Sequence, residues 1–87
     1  MPHYQARIAI NLRPSVLDPA GEAARSAASK LGIDGLSKLR LGKLVYLEIE
    51  AQDEKEARKK IELMSDRLLA NPVIEDWDLQ LFNQTSS

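Results

Sequence analysis

The chain has no cysteine, a single histidine and few aromatic residues, and each of these shortages excludes a class of function. Without cysteine there is neither a disulfide framework nor a thiolate metal site, which fits a reducing compartment. His3 lies at the N-terminus, where we expect a mobile segment, so a histidine-based general base, triad or metal cluster has no support. We therefore expect no catalytic, cofactor-binding or metal-binding residue in this chain.

The chain also lacks an excess of positive charge and any long apolar run. Its 12 Lys and Arg residues face 13 Asp and Glu residues, which gives a net charge of -1. Nucleic-acid modules usually carry a clear positive surplus because their affinity comes largely from releasing phosphate counterions. No stretch has the character of a signal peptide or a membrane span. We expect a cytoplasmic protein that binds neither nucleic acid nor membrane.

At 87 residues the chain has room for one domain, residues 1–87, with a polar tail at 83–87 that is expected to fray. A domain of this size buries only about 60% of the surface that its unfolded chain exposes. Its core is thin, so association with partners is a plausible additional source of stability.

Hydrophobic periodicity in the first third of the chain predicts a strand and a helix. Apolar residues alternate over Tyr4–Leu12, as in a half-buried β-strand. Asp18 followed by Pro19 predicts a helix start, because an acidic N-cap accepts free N–H groups and proline fits the first helical position. Gly32 predicts the end of this helix. Small apolar side chains at helical spacing form a stripe along this helix, which is expected to pack closely on a sheet. The stripe comprises Ala20, Ala23, Ala24, Ala27 and Leu31.

The rest of the chain predicts a hairpin, a second helix and a last strand. Leu36–Leu41 and Leu44–Ala51 are predicted as two strands joined by a tight turn at Gly42-Lys43. The second helix is expected to end at Asn71-Pro72, and Val73–Phe82 is predicted as the last strand. The buried stripe of this helix is predicted to comprise Ala57, Ile61, Met64 and Leu68.

This βαββαβ order favours an α+β fold in which a four-stranded antiparallel sheet carries both helices on one face, the ferredoxin-like arrangement. The other face stays open. The pattern does not decide whether that face is solvated or is an interface between copies of the chain. Its predicted residues are Arg7, Lys38, Arg40, Leu44, Tyr46, Glu48, Glu50, Asp76 and Asp78.

Two functions found on this architecture lack their required residues. An acylphosphatase-type phosphate site needs glycines in the loop after the first strand, and here that loop is Arg13–Val16. An RNA-recognition sheet needs several stacking aromatic residues, and only Tyr46 could serve. A stand-alone ferredoxin-like regulatory module that binds a small ligand stays open as an alternative, although no convergent set of polar residues suggests its pocket.

Three segments carry a resemblance to a known family. They are Val16–Gly21 (VLDPAG), Arg40–Lys43 (RLGK) and Leu69–Trp77 (LANPVIEDW). In order and spacing they are similar to the PurS family, the small subunit of phosphoribosylformylglycinamidine (FGAM) synthase. The similarity extends from about Ile8 to about Leu81, nearly the whole chain.

The resemblance implies a subunit without catalytic residues in a glutamine-hydrolysing ligase of de novo purine biosynthesis. In this family the small subunit associates with itself, as a homodimer or homotetramer, and bridges a PurQ-type glutaminase and a PurL-type synthetase. The complex converts formylglycinamide ribonucleotide to formylglycinamidine ribonucleotide, and the small subunit assists ammonia transfer. ATP, Mg and glutamine act on the partner subunits, so the resemblance implies no cofactor in this chain.

Several residues of these segments are candidates for partner contact. Arg40 and Lys43 flank the predicted turn, are not expected to be needed for folding, and can reach carboxylates of a partner. Gly42 is expected to permit the turn. Trp77 is expected either in the core or as an interface anchor. The predicted partner-contact residues are Arg40, Gly42, Lys43, Asn71, Asp76 and Trp77.

Overall fold

The computed structural model describes residues 2–82, and the tail predicted to fray at 83–87 lies outside the described residues. The chain forms an antiparallel sheet and two α-helices, which confirms the α+β class. A π-helical turn, Ser65–Leu69, follows the second helix. The elements are β1 (His3–Leu12), α1 (Pro19–Lys30), β2 (Gly42–Glu50), α2 (Glu54–Met64) and β3 (Glu75–Leu81).

β1 is the central strand of the sheet, with antiparallel neighbours on both sides in the order β2-β1-β3. Its alternation places one set of side chains in the core, where Ile8 and Ile10 are fully buried. Ile8 lies opposite Val45 on β2 and opposite Leu79 on β3, so the inward-facing side chains of the three strands lie side by side on one face of the sheet. These rows form the apolar face that a helix must cover.

α2 covers this apolar face. The Asp53 carboxylate caps its start by accepting a hydrogen bond from the Glu56 N–H at 2.8 Å. Ala57 and Ile61 are buried, and Ile61 packs on the inward row of β1. The prediction that Leu68 continues this stripe is wrong, since the residue is 73% exposed.

The π-helical turn explains that error. The Ala70 N–H donates to the carbonyl of Ser65, five residues back, which adds one residue to the turn. Ser65 is itself buried and donates from Oγ to the carbonyl of Ile61 at 2.8 Å. The wider turn changes the phase of the helix, so Leu69 packs against the core in place of its neighbour.

α1 has the predicted bounds but not the predicted packing. Asp18 is its N-cap and Gly32, at φ 87°, ends it with the Ile33 N–H donating to the carbonyl of Ala28. Within α1 only Gly21 is buried. The alanine stripe predicted to lie on a sheet is therefore exposed or half-buried in the single chain.

The predicted hairpin is wrong. Residues 33–41 form no strand, and no turn or bend interrupts the chain between residues 33 and 50. Gly42 cannot start a tight turn because it already pairs with Asn11 as the first residue of β2. Within residues 2–82 a single chain therefore has three of the four predicted strands.

The chain is elongated. Its radius of gyration is 16.9 Å, whereas a compact domain of this length has about 12 Å. Its longest dimension is 52 Å and its shortest 15 Å. We call α1 and residues 31–41 together the arm, because they add to the length of the molecule and little to its core.

Candidate functional site

The predicted partner-contact residues gather at one end of the sheet, where β1 ends and β2 and β3 begin. Asn11 lies between Gly42 on one side and Asp76 on the other. Ile10, one residue earlier, lies between Lys43 and Trp77. Segments that are more than 30 positions apart in the sequence thus become neighbours through the register of the central strand. We call this region the Arg13 end, after the residue that joins its parts.

Arg13 connects the end of β1 to residues 72–76, the segment that leads into β3. Its backbone N–H donates to the carbonyl of Ile74 at 2.9 Å, and its guanidinium donates to the carbonyl of Pro72 at 2.6 Å. Its Nε lies 3.2 Å from a carboxylate oxygen of Asp76. The sequence interpretation missed this residue, which it considered only as a phosphate ligand. One feature of the sequence could have indicated this role. Arg13 directly follows the first predicted strand, and acidic residues that could pair with it stand at the start of the last strand.

Arg40 is bound within its own chain. Its guanidinium donates to the carbonyls of Arg13, at 3.0 Å, and Val16, at 2.7 Å. Its planar group thus joins the loop after β1 to the chain that leads into β2, so Arg40 also has a contact within the fold that the sequence did not predict. A contact of Arg40 with a partner stays a prediction.

Asp18 fixes the start of the arm to its end. One carboxylate oxygen accepts from the Gly21 N–H at 3.0 Å and the other from the Leu41 N–H at 2.8 Å. The hydrogen bond from Leu41, then that from Gly21, and to a lesser degree the charge of Arg40, hold the pKa of the Asp18 carboxyl below its ordinary value. Asp18 is buried, so the bond from Gly21 is shielded from water and the bond from Leu41 is partly shielded.

Two glycines at this end have no room for a side chain. A Cβ on Gly21 would lie 2.6 Å from both an Asp18 carboxylate oxygen and the Leu39 carbonyl oxygen. A Cβ on Gly42 would collide with the side chain of Asn11 and lie 2.9 Å from the Ile10 carbonyl oxygen. Gly42 is thus required for close approach to β1 and not for the turn that the sequence predicted.

Asn71 organises the loop between the π-helical turn and β3. Its side-chain oxygen accepts from the Val73 N–H at 3.1 Å, and its carbonyl accepts from the Glu75 N–H at 2.8 Å. Its own N–H donates to a carboxylate oxygen of Glu75 at 2.7 Å. The role of Asn71 shown by these bonds is to shape the loop.

Lys43 and Asp76 present charge at the surface of the Arg13 end. The Lys43 Nζ lies 3.5 Å from a Glu75 carboxylate oxygen, but its side chain stays 60% exposed. The Asp76 side chain is 67% exposed beside Arg13. Both groups therefore remain accessible to a partner while they are oriented by their neighbours.

Trp77 is half-buried, with one part of the ring in the core and another part at the surface. It packs against the core cluster around Ile8 and Ile10. It also lines an open cavity of about 360 Å³ together with Arg13, Asp66, Pro72, Glu75 and Asp76. The core and an interface anchor were the two alternatives for Trp77; part of the side chain packs on the core, and its role as an interface anchor stays a prediction.

Exposed apolar side chains lie on the segments of the same end. Leu17 and Val73 are 75% and 76% exposed, and Leu41 and Leu44 are about half exposed. These residues belong to the loops and strand starts that Arg13, Arg40 and Asp18 hold together. Apolar groups beside oriented charges are the composition of a protein–protein contact surface.

The opposite end of the sheet carries the histidine. His3 is the first residue of β1 and pairs with Glu50, so the expectation of a mobile position is wrong. Its ring nitrogens lie 3.1 Å from a Glu48 oxygen and 3.3 Å from a Glu50 oxygen. Hydrogen bonds from His3 and Gln5 lower the pKa of Glu48. Among residues 2–82 no group of three His, Asp or Glu side chains is placed to hold a metal ion.

A family model named PurS, phosphoribosylformylglycinamidine (FGAM) synthase, matches residues 5–83. The chain belongs to the PurS family. A PurS subunit of FGAM synthase from Synechocystis is 49% identical over 78 residues, which is 90% of this chain and 78% of that protein. The PurS subunit of Methanocaldococcus jannaschii is 31% identical over 90% of this chain and 94% of its own length. These matches confirm the resemblance that the three sequence segments indicated.

Solved structures agree with the fold. A Bacillus subtilis PurS structure superposes with a TM-score of 0.83 at 31% identity, covering 92% of this chain and 99% of that one. A chain of the structure described as PurLQS from Thermotoga maritima superposes with a TM-score of 0.84 at 34% identity, covering 94% of this chain and 100% of that one. The similarity to PurS proteins therefore includes the arm as well as the sheet. Within residues 2–82 no helix has the length and apolar character needed to cross a bilayer.

Proposed function

We propose that this chain is the non-catalytic small subunit of FGAM synthase and that it joins a PurQ-type glutaminase to a PurL-type synthetase. The observation that carries the proposal is its match to PurS over residues 5–83, together with its likeness to a chain of the Thermotoga PurLQS structure. The complex uses ATP and glutamine to convert formylglycinamide ribonucleotide to formylglycinamidine ribonucleotide in purine biosynthesis. We expect the chain to associate with itself as well as with these two subunits.

A bridging role has a physical reason. Ammonia released by glutamine hydrolysis is mostly protonated in neutral water, and ammonium is not a nucleophile. Holding the glutaminase and synthetase sites in one assembly lets ammonia pass between them with little exposure to solvent. The chain needs no catalytic group for this task. ATP, Mg and glutamine are then expected to bind the partner subunits.

We place the partner contact at the Arg13 end. Lys43 and Asp76 offer exposed charge there, and Leu17 and Val73 offer exposed apolar surface. Internal hydrogen bonds of Arg13 fix the loops before binding, which reduces the entropy lost on association. A preorganised mixed surface suits specific docking onto another subunit. We also propose a cytoplasmic location, which fits a chain without cysteine.

The test is reconstitution. The chain is sized by light scattering alone and then with the glutaminase and synthetase, with and without glutamine and ADP. We expect a larger complex that restores glutamine-dependent amination. If the chain joins neither subunit, and instead binds an amino acid or a nucleotide with a micromolar Kd in calorimetry, the regulatory-module alternative replaces this proposal.

A further inference from the structure

Asp34 and Gly35 form the only place in the chain where an aspartate or an asparagine is followed by glycine. The two residues lie in the arm, between α1 and β2. Both are exposed, and neither belongs to a helix or a strand. Residues without burial or regular hydrogen bonding are the least constrained parts of a fold. This pair is therefore open to a reaction between the aspartate side chain and the glycine backbone.

The backbone nitrogen of Gly35 is free to react. Within residues 2–82, residues 34–40 make no backbone–backbone hydrogen bond, so no backbone carbonyl holds the Gly35 N–H. The side chains that accept from backbone N–H groups in the same range serve other residues, which are Gly21, Leu41, Glu56, Asn71 and Val73. The nitrogen is also unshielded, because glycine has no side chain and an atom placed at its Cβ position would meet nothing within 4 Å. A neighbouring carboxyl group can therefore reach it.

The carboxyl group of Asp34 is equally free. Within the described part of the chain it takes part in no hydrogen bond and no ion pair. Asp18 shows the contrast, since its two oxygens accept from the N–H groups of Gly21 and Leu41 and are held toward them. Asp34 lacks such donors, so its side chain can rotate between rotamers and bring Cγ toward the nitrogen of Gly35.

The other aspartates and asparagines of residues 2–82 lack this combination. Asp18 and Asn71 precede proline, whose ring nitrogen carries no hydrogen. The remaining ones lie within regular elements or cap them, and they are Asn11 in β1, Asp53 at the start of α2, Asp66 in the π-helical turn, and Asp76 and Asp78 in β3. Joining Cγ to the next nitrogen requires backbone torsions unlike those of a helix or a strand. The structure therefore singles out Asp34.

We propose that Asp34 is a site of spontaneous conversion to isoaspartate through a cyclic imide formed with Gly35. The Gly35 nitrogen attacks Cγ of the neutral Asp34 carboxyl group, so that an N–Cγ bond forms while the bond from Cγ to the hydroxyl breaks. The proton of the nitrogen and this hydroxyl leave as water. Water then opens the ring at one of its two carbonyls. Cleavage of the N–Cγ bond restores aspartate, and cleavage of the original peptide bond gives isoaspartate.

The conversion changes the arm without disturbing the core. In isoaspartate the main chain runs through Cβ and Cγ of residue 34, so one methylene is added between α1 and residues 36–41. The free carboxylate moves to Cα, where an isoaspartyl methyltransferase that uses S-adenosylmethionine can esterify it. Asp34 and Gly35 belong to neither apolar cluster of the core, so the sheet and α2 are expected to stay folded. This inference does not depend on the proposed function.

The test compares the folded chain with a free peptide of residues 31–37, both kept at pH 6 in heavy-oxygen water. Each ring opening leaves one heavy oxygen atom in the product, and mass spectrometry of fragments digested in ordinary water locates it. Methyl transfer from labelled S-adenosylmethionine by an isoaspartyl methyltransferase counts the isoaspartate formed. Asp34→Glu is the control variant, because glutamate would have to close a larger ring. Asp66 and Asp78 serve as internal controls, and circular dichroism checks that each protein stays folded.

We expect heavy oxygen and methyl acceptance at residue 34 of the folded chain, at a rate within about threefold of that in the peptide. Asp34→Glu and the internal controls should show neither. A folded chain that reacts more than about tenfold slower than the peptide would overturn the proposal, because the fold would then protect the pair. Equal labelling at Asp66 or Asp78 would also overturn it, since the structure singles out Asp34.

Discussion

The carboxylate of Asp18 accepts a hydrogen bond from the backbone N–H of Leu41 at 2.8 Å, although the two residues are 23 positions apart. The same carboxylate caps α1, so one side chain holds both the start and the end of the arm. A helix cap is thereby also a tertiary contact. Its ionisation state then controls how firmly the arm is attached to the sheet.

Stability is expected to fall in acid because of Asp18. Its folded pKa is lowered, so its contribution is fully present above its ordinary pKa of about 3.9 and is lost as the pH falls through the folded value. Asp18→Asn cannot ionise and should lower the urea midpoint more at pH 6 than at pH 3. If the urea midpoints of the two proteins differ by the same amount at pH 6 and at pH 3, the Asp18 carboxylate does not cause the loss of stability in acid. Glu62→Gln, at an exposed position of α2, serves as the control.

Gly21→Ala is expected to destabilise the protein, opposite to the usual effect in a helix. Alanine normally improves on glycine inside a helix by about 0.5–1 kcal/mol. Here the new Cβ would press on Asp18 and the Leu39 carbonyl, so we expect a net loss of about 1–3 kcal/mol. Urea unfolding measures it. Ser26→Ala, at an exposed position of the same helix, should change stability by less than about 0.5 kcal/mol, and equal effects of the two changes would contradict the prediction.

Arg40→Ala is expected to lower stability as well as any partner affinity. It removes two hydrogen bonds to backbone carbonyls, each worth about 0.5–1.5 kcal/mol. Chemical denaturation gives the loss, and Arg58→Ala on the exposed side of α2 is the matched control. An Arg40→Ala chain with unchanged unfolding free energy would show that Arg40 acts only on partners.

Lys43→Glu is expected to weaken binding of the glutaminase or the synthetase about tenfold while the chain stays folded, since the side chain is 60% exposed at the Arg13 end. Titration by calorimetry measures the affinity. Lys59→Glu makes the same charge change on α2, away from this end, and should bind normally. Equal affinities of the two variants would move the contact surface elsewhere. Lys43→Gln separates loss of the charge from its reversal.

Trp77 provides a direct signal for docking. It is the only tryptophan, is half-buried and lines the cavity at the Arg13 end. A subunit that covers this end should remove water from the ring and shift its emission to shorter wavelength. A partner without tryptophan, or one with its own replaced, keeps the signal specific. An unchanged spectrum in a complex proven by light scattering would place the partner on another surface.

The errors of the sequence analysis have local causes. Leu68 and Leu69 are both leucines, and only the π-helical turn at Ser65 decides which of them faces the core. The sequence does not distinguish Arg40 from a free surface cation. Both of its hydrogen-bond acceptors are backbone carbonyls, and every residue has one whatever its side chain. Two of the contacts of Arg13 were hidden for the same reason, because they are made with the backbone carbonyls of Pro72 and Ile74.

The sequence by itself determined the α+β class, the two caps of α1, the alternation of β1 and membership of the PurS family. These structural properties depend on residues close together in the sequence. A carboxylate three residues before a free N–H caps a helix start, a glycine at positive φ ends a helix, and apolar residues at every second position form one face of a strand. Only the tertiary structure decided that Gly42 begins β2, that Asp18 reaches Leu41, and that α1 leaves its alanine stripe exposed. Those outcomes depend on which distant segments lie within a few ångströms of each other, and the strand register sets this.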